Sequence, residues 1–200
     1  MSNIIERWQF RYSVVVEPAT EPVTLDEAKL FARVDEDVDD ALVDALIASA
    51  RQCVEEETGI ALMPQTRDAF LNVAPESKEF ELSWRPIQSV TYIKALNEDG
   101  TDTEIDSTDI LLDGANARIG IKTGADIFPL AIGDQRFNGF VIRYVSGYAD
   151  AATVPEWAKT AIKMLVAHWY EHREASAAEI QTKIPFHIQM VLDKHKVVTI

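Results

Sequence analysis

The chain has 200 residues, 47% apolar and 26% charged, enough for one sizeable domain or two small ones. Its 33 acidic against 19 basic side chains leave a net charge of −14 with no Lys/Arg cluster to offset it, which argues against sequence-specific nucleic-acid binding, although DNA could still slide past a neutral or acidic wall. Cys53 is the only cysteine, so an intramolecular disulfide and a cysteine-based zinc site are excluded, and no apolar run approaches the ~20 residues of a membrane helix.

The start, Met1 to Trp8, lacks the basic and apolar regions of a secretion signal, so synthesis in a cytosol is expected. Residues 10–16 read as a short strand stopped by Glu17-Pro18. Thr24-Leu-Asp-Glu27 has the spacing of a capping box and opens a short helix ending near Val34. The acidic connector Asp35-Glu36-Asp37 leads to a second helix from Asp39 or Asp40 to Thr58, with Gly59 as its stop. Leu42, Leu46, Ala50, Cys53 and Val54 form its predicted apolar stripe, while Ala45, Ala48 and Ser49 leave room for a close helix neighbour. Glu55, Glu56 and Glu57 stand at the helix end that favours cations. They read either as a solvated terminus or as an acidic contact surface for a basic partner.

From Leu62 to Tyr148 the period changes to two, as in residues 79–84, 90–93 and 140–145, with turns at residues 97–100, Asp113-Gly114 and Gly120. Pro64, Pro75, Pro86 and Pro129 mark turns or edges of this antiparallel β module. Thr153-Val-Pro-Glu156 has the spacing of a second capping box. The helix that follows runs to about Arg173, with Trp157, Ala161, Met164, Leu165 and Trp169 on a wide apolar face. Residues 174–183 read as a linker, followed by Ile184-Pro185-Phe186, an amphipathic stretch to Lys194 and an apolar finish, Val197 to Ile200. The expected architecture is α+β. Residues 1–60 and 150–200 make a discontinuous helical core with a tail over 184–200, and residues 61–149 form an inserted β module that projects from it.

The sequence offers little chemistry. His168 and His172 share a helical face at i,i+4, but Trp169 occupies the place where a zinc protease carries glutamate, so packing or an interface is the favoured role. A metal-dependent hydrolase would need these two histidines and a third ligand. The acidic residues 35–40 lack the glycine of a calcium loop, which leaves Asp39 or Asp40 as the helix cap. No phosphate-binding glycine loop or nucleophile elbow occurs, Trp84 falls on a core-facing period, and Cys53 reads as a small core residue. No cofactor is implied, and no residue stands out to carry an enzymatic reaction.

Two segments are more specific in combination. Glu21-Pro-Val-Thr-Leu-Asp-Glu-Ala-Lys29, followed by Asp44-Ala-Leu-Ile-Ala-Ser-Ala-Arg-Gln-Cys-Val-Glu-Glu-Glu-Thr-Gly59, resembles the opening of phage head–tail connector (adaptor) proteins. Val154 to Glu174 is similar to the second signature helix of that family, and Ile184-Pro-Phe186 to its tail. The order and spacing of these elements, from about residue 17 to residue 196, most resemble the longer, β-inserted connectors, including gene-transfer-agent adaptors. His172 departs from the family pattern, where asparagine is expected, and could make an interface sensitive to pH.

The resemblance implies a structural virion protein without enzymatic activity, made in the bacterial host cytoplasm and placed at the head–tail junction. It would form a ring of twelve subunits beneath the portal protein and offer a platform to a tail-side stopper or terminator; genome DNA would pass through the ring. A tail-completion or terminator ring protein is the alternative. A DNA-packaging subunit would need a basic face that this sequence lacks. On the connector reading the tail is expected to be poorly buried in the monomer, with Phe186, Ile188, Val191 and Leu192 anchoring it on the portal or on a neighbouring subunit. Asp35, Glu36, Asp37, Glu55 and Glu56 would face Lys/Arg of the next subunit in a heterologous contact, and residues 97–103 would meet the next tail component.

Overall fold

The computed structural model describes residues 10–72, 78–96, 101–122, 139–172 and 184–197. Residues 174–183, the turn at 97–100, Pro75, Pro129, and the chain's first eight and last three residues, all used in the sequence reading, lie outside the described residues. The chain divides into two units, Met1–Glu17 with Gln65–Ser146, and Pro18–Pro64 with Gly147–Ile200. Both are discontinuous in sequence.

Among the described residues the first unit is built of strands, with one 3-10 turn at Ser107–Asp109. A five-stranded antiparallel sheet runs in the order β1 (Arg11–Val16), β2 (Gln65–Leu71), β8 (Phe140–Ser146), β4 (Ile87–Leu96), β5 (Asp102–Glu104). A second sheet has the order β3 (Glu79–Glu81), β7 (Arg118–Ile121), β6 (Ile110–Asp113). The alternation read from residues 140–145 is realised in β8, where Phe140, Ile142 and Tyr144 are buried and the residues between them are half-buried. Phe80 of β3 stacks on Phe140 at 5.8 Å, so the small sheet helps close the same core, with Ile93, Ile105 and Ile119 around it. The strand at 10–16 belongs to this sheet through its pairing with β2, although the sequence reading grouped it with the helices. β2 itself was not foreseen. The strand expected over 79–84 stops at Glu81, because Leu82 N–H turns to Ala117 O and Trp84 takes a φ of 67°.

The second unit is helical. In α1 (Leu25–Ala32) the capping box forms as expected: Thr24 Oγ1 accepts from Glu27 N–H, and Glu27 Oε2 accepts from Thr24 N–H at 2.9 Å. α2 (Asp40–Thr58) ends on Gly59 at φ 71°, whose N–H reaches Glu55 O. α3 (Glu156–Glu171) and α4 (Phe186–Asp193) each follow a proline. The second capping box is not formed. Thr153 closes a turn on Asp150 instead, donating its N–H to Oδ1 at 2.9 Å and its hydroxyl to the carbonyl at 2.8 Å.

The buried stripe of α2 is Val43, Ile47, Ala50 and Val54: its second half is as predicted, but its first half falls one position later than Leu42 and Leu46, and Leu42 is exposed. These side chains pack with Ala158, Ile162, Leu165 and Trp169 of α3 and with Ile188 and Leu192 of α4. At Gly147 (φ 112°) a Cβ would lie 2.1 Å from Met63 O, so only glycine lets the chain re-enter this unit beside residue 63.

Candidate subunit-interface surface

The helical unit collects exposed apolar side chains at two places. The first is the corner between α1 and α2, where Leu30 is 83% and Val38 79% exposed, with Phe31 and Leu42 also open. The second is one side of α4, where Phe186 is 79% exposed and Met190 about half. Isolated exposed leucines are ordinary, but Leu30, Phe31 and Val38 fall within nine residues of chain.

Ion pairs link the two sides of the corner. Lys29 Nζ, half-buried at the end of α1, bonds Asp37 Oδ1 at 2.8 Å and Asp40 Oδ1 at 2.6 Å, which ties the connector to the start of α2. The hydrogen bonds to Asp37 and Asp40 raise the Lys29 pKa, and the bond from Lys29 holds Asp37 below the usual carboxylate range. Arg33 caps α1 at φ 57°, giving its N–H to Lys29 O. Asp39 and Asp40 make no cap through their side chains: Asp39 accepts from Tyr170 Oη at 2.6 Å, and Asp40 holds Lys29. Asp35, Glu36 and Asp37 remain exposed, as an interface role requires.

Glu55 corrects the expectation. It is 2% exposed and faces inward: Oε2 accepts from Arg51 Nη1 at 2.9 Å, and Oε1 accepts the Leu62 N–H at 2.7 Å. Arg51 Nε reaches Glu21 Oε2 at 2.8 Å. A carboxylate held in this way belongs to the interior and cannot face a neighbouring subunit. Glu56 is exposed, and Glu57 Oε2 accepts from Gln189 Nε2 at 3.3 Å.

The tail divides by helical face. Ile188 and Leu192 lie one helical turn apart at 1% and 0% exposure and belong to the core of the unit, so they cannot act as free anchors. Val191 is half-buried. Phe186 is the one predicted anchor left open, and Met190 joins it on that side. Val197 N–H bonds Thr58 O at 2.8 Å, and His195 stacks on Trp157 at 4.0 Å, so residues 195 and 197 are also held to the unit. The expectation of a tail poorly buried in the monomer is therefore corrected for Ile188 and Leu192. The stretch is amphipathic, as expected, but its inner side is the row at 184, 188 and 192, and the row at 186 and 190 faces out.

His168 and His172 lie with ring centroids 4.4 Å apart, and His172 Nδ1 is 2.8 Å from His168 O. Burial, then the neighbouring His172, lowers the His168 pKa. Among the described residues no three His, Cys, Asp or Glu side chains gather in a metal-binding group, so the pair finds no third ligand there. Burial, reinforced by Glu57 and Glu56, pushes the Cys53 thiol up to about 11, the opposite of what a nucleophile needs. In the β unit, Val14, Val15 and Val16 lie open on the edge strand, as do Leu111 and Leu112 on β6; neither group stood out in the sequence.

A family model described as head completion protein matches residues 21–198. Among solved structures, the chain is similar to one in the virion of a native gene transfer agent particle, with 19% identity and a TM-score of 0.73 over 94% of this chain and 96% of that one. It is also similar to a chain in the neck of an empty gene transfer agent particle computed with C6 symmetry, at 20% identity and TM-score 0.72, covering 95% and 97%. A third, in the neck of a native particle computed with C12 symmetry, gives 20% and 0.70 over the same shares. No curated protein matches the chain.

Proposed function

This chain belongs to the head completion protein family, and on that premise we propose that it is a head–tail connector that forms a ring under the portal and joins the capsid to the tail. The observation that carries the reading is the extent of the fold likeness: a TM-score of 0.70 to 0.73 over 94–95% of the chain, against proteins solved in gene transfer agent virions and necks. The neck solved with C12 symmetry favours twelve copies. Portal and tail-side stopper or terminator are the partners of this reading. Its work is geometric rather than catalytic.

Oligomerisation of an acidic chain carrying −14 needs local attraction to offset self-repulsion. The exposed side chains at the α1–α2 corner and on α4 supply the candidate contacts, with Asp35, Glu36, Asp37 and Glu56 as the acidic set and Phe186 as the anchor. Ile188 and Leu192 hold the helical unit together, so a tail truncation would remove core and is a poor test.

The full chain is therefore added to portal-bearing, tail-less heads of the cognate particle and sedimented. Stoichiometric loading, with a new ring below the portal in electron micrographs, is the expected result. Loading only onto a separated tail would transfer the protein to the tail-completion role.

A further inference from the structure

We propose that the corner between α1 and α2 of one subunit seats the exposed side of α4 of the next, so that the ring grows by a head-to-tail contact between two different patches of the helical unit. This rests on the ring reading above and names its contact. Phe186 and Met190 lie along one side of α4, opposite the buried Ile188 and Leu192, and Lys194, the C-cap in helical conformation, continues the four-residue spacing. The stripe begins aromatic, continues through a flexible thioether and ends in a cation, with Lys196 two residues further on. Lys194 and Lys196 are exposed, and neither has an ion-pair partner among the described residues.

The corner is the complement of that stripe. Leu30, Phe31 and Val38 offer apolar area and an aromatic ring, to which a thioether binds favourably. Beside them Asp35 and Glu36 are exposed and likewise have no ion-pair partner among the described residues, whereas Asp37 is already held by Lys29. Arg33 is the one exposed cation in this stretch, so the corner keeps a negative balance. In a chain this acidic, most random encounters between copies are repulsive. An uncommitted lysine pair meeting an uncommitted carboxylate pair, each beside apolar side chains, selects one docking geometry. Because the patches differ, the contact is heterologous and leaves an open patch at each end until the ring closes.

The test uses full-length chains in a Cys53→Ser background, loaded onto portal-bearing, tail-less heads and then oxidised. Val38→Cys and Met190→Cys variants are prepared separately and mixed. A disulfide-linked dimer is expected from the mixture and from neither variant alone. In parallel, Asp35→Lys with Glu36→Lys, and Lys194→Glu with Lys196→Glu, are each expected to lower loading about tenfold, and combining all four in one chain is expected to restore most of it. Circular dichroism confirms folding of each variant and of the Cys53→Ser background, the one change at a half-buried position; the others change exposed side chains.

A Met190→Cys chain that links to itself, or to portal instead of to Val38→Cys, overturns the contact. So does a fourfold variant that loads no better than the twofold ones. If the wild-type chain loads and these results appear, the contact alone falls; if the wild-type chain does not load at all, the connector reading falls with it.

Discussion

In the helical unit three charged groups, Glu21, Arg51 and Glu55, are drawn to the inner side of α2, with the Arg51 and Glu55 side chains 4% and 2% exposed. The β unit keeps its two-pronged ion pair open on one side: Arg143 bonds the buried Asp68 through Nε at 2.7 Å and Nη2 at 2.8 Å, with its own side chain 31% exposed. The difference follows from where backbone groups find partners. Between β2 and β8 the ladder satisfies the main chain from residue 65 to residue 71, so Arg143 and Asp68 only add a cross-strand contact. Among the described residues after α2, Leu62 lies in no strand. The buried Leu62 N–H needs an acceptor, and Glu55 reaches forward to provide it. A buried carboxylate needs a cation, which Arg51 supplies from one turn earlier.

The most direct way to break this contrast is Glu55→Ala. It takes one of the two carboxylates from the buried Arg51 guanidinium, leaving Glu21, and removes the acceptor for the Leu62 N–H, so a loss of about 3–5 kcal/mol is expected in urea unfolding followed at 222 nm. Hydrogen exchange should show the loss in peptides of α2 and α3, while those covering β2 and β8 keep their protection. A loss near 1 kcal/mol would mean that the network is ornamental.

Leu192→Ala and Ile142→Ala compare the two cores at positions that are both 0% exposed. Each is expected to destabilise its unit by about 2–5 kcal/mol, whereas Phe186→Ala should stay within about 0.5 kcal/mol of wild type in a thermal melt. Equal effects at residues 186 and 192 would contradict the assignment of opposite faces to the tail helix. Asp68→Asn sits below these: about 1–3 kcal/mol is expected, because the Arg143 it leaves behind can still turn to water.

Where the sequence reading succeeded, the signal was local. The Thr24 box, the Gly59 stop and the alternation of β8 are each set by residues within a few positions of one another. The reading failed where a partner distant in sequence decides the outcome. β2 has no clean alternation because Arg67 and Asp68 are both buried: Asp68 meets Arg143 across the sheet, and the Arg67 guanidinium lies 3.7 Å over the Trp84 ring. Glu55 looked like a solvated end because Leu62, seven residues on, is invisible to helical periodicity. The first half of the α2 stripe differs by one position because Leu42 and Leu46 are as apolar as Val43 and Ile47, and only the positions of α3 and α4 choose between them; Ala50 and Val54 are buried as expected. The interface candidates suffered most, since an exposed leucine and a buried one look alike in a sequence.

The smallest effects lie at the start of α1, where the helical unit relies on exposed polar groups as the β unit does. Thr24→Ala removes the acceptor for Glu27 N–H and is expected to lower stability by about 1 kcal/mol. Glu27→Gln keeps an oxygen acceptor but no charge, so at neutral pH the loss should be under about 0.5 kcal/mol. The Thr24 N–H bonded to it holds the Glu27 carboxyl below its ordinary value, outweighing slight desolvation. A carboxyl with a depressed folded pKa stabilises the fold fully above its unfolded pKa of about 4.3, and that stabilisation fades as pH falls through the lower folded value. The wild-type advantage over Glu27→Gln in melting temperature should therefore be constant from neutrality down to about pH 5 and vanish in stronger acid. An advantage that grows on acidification would have the wrong sign for this box and would place its stabilisation in the neutral carboxyl.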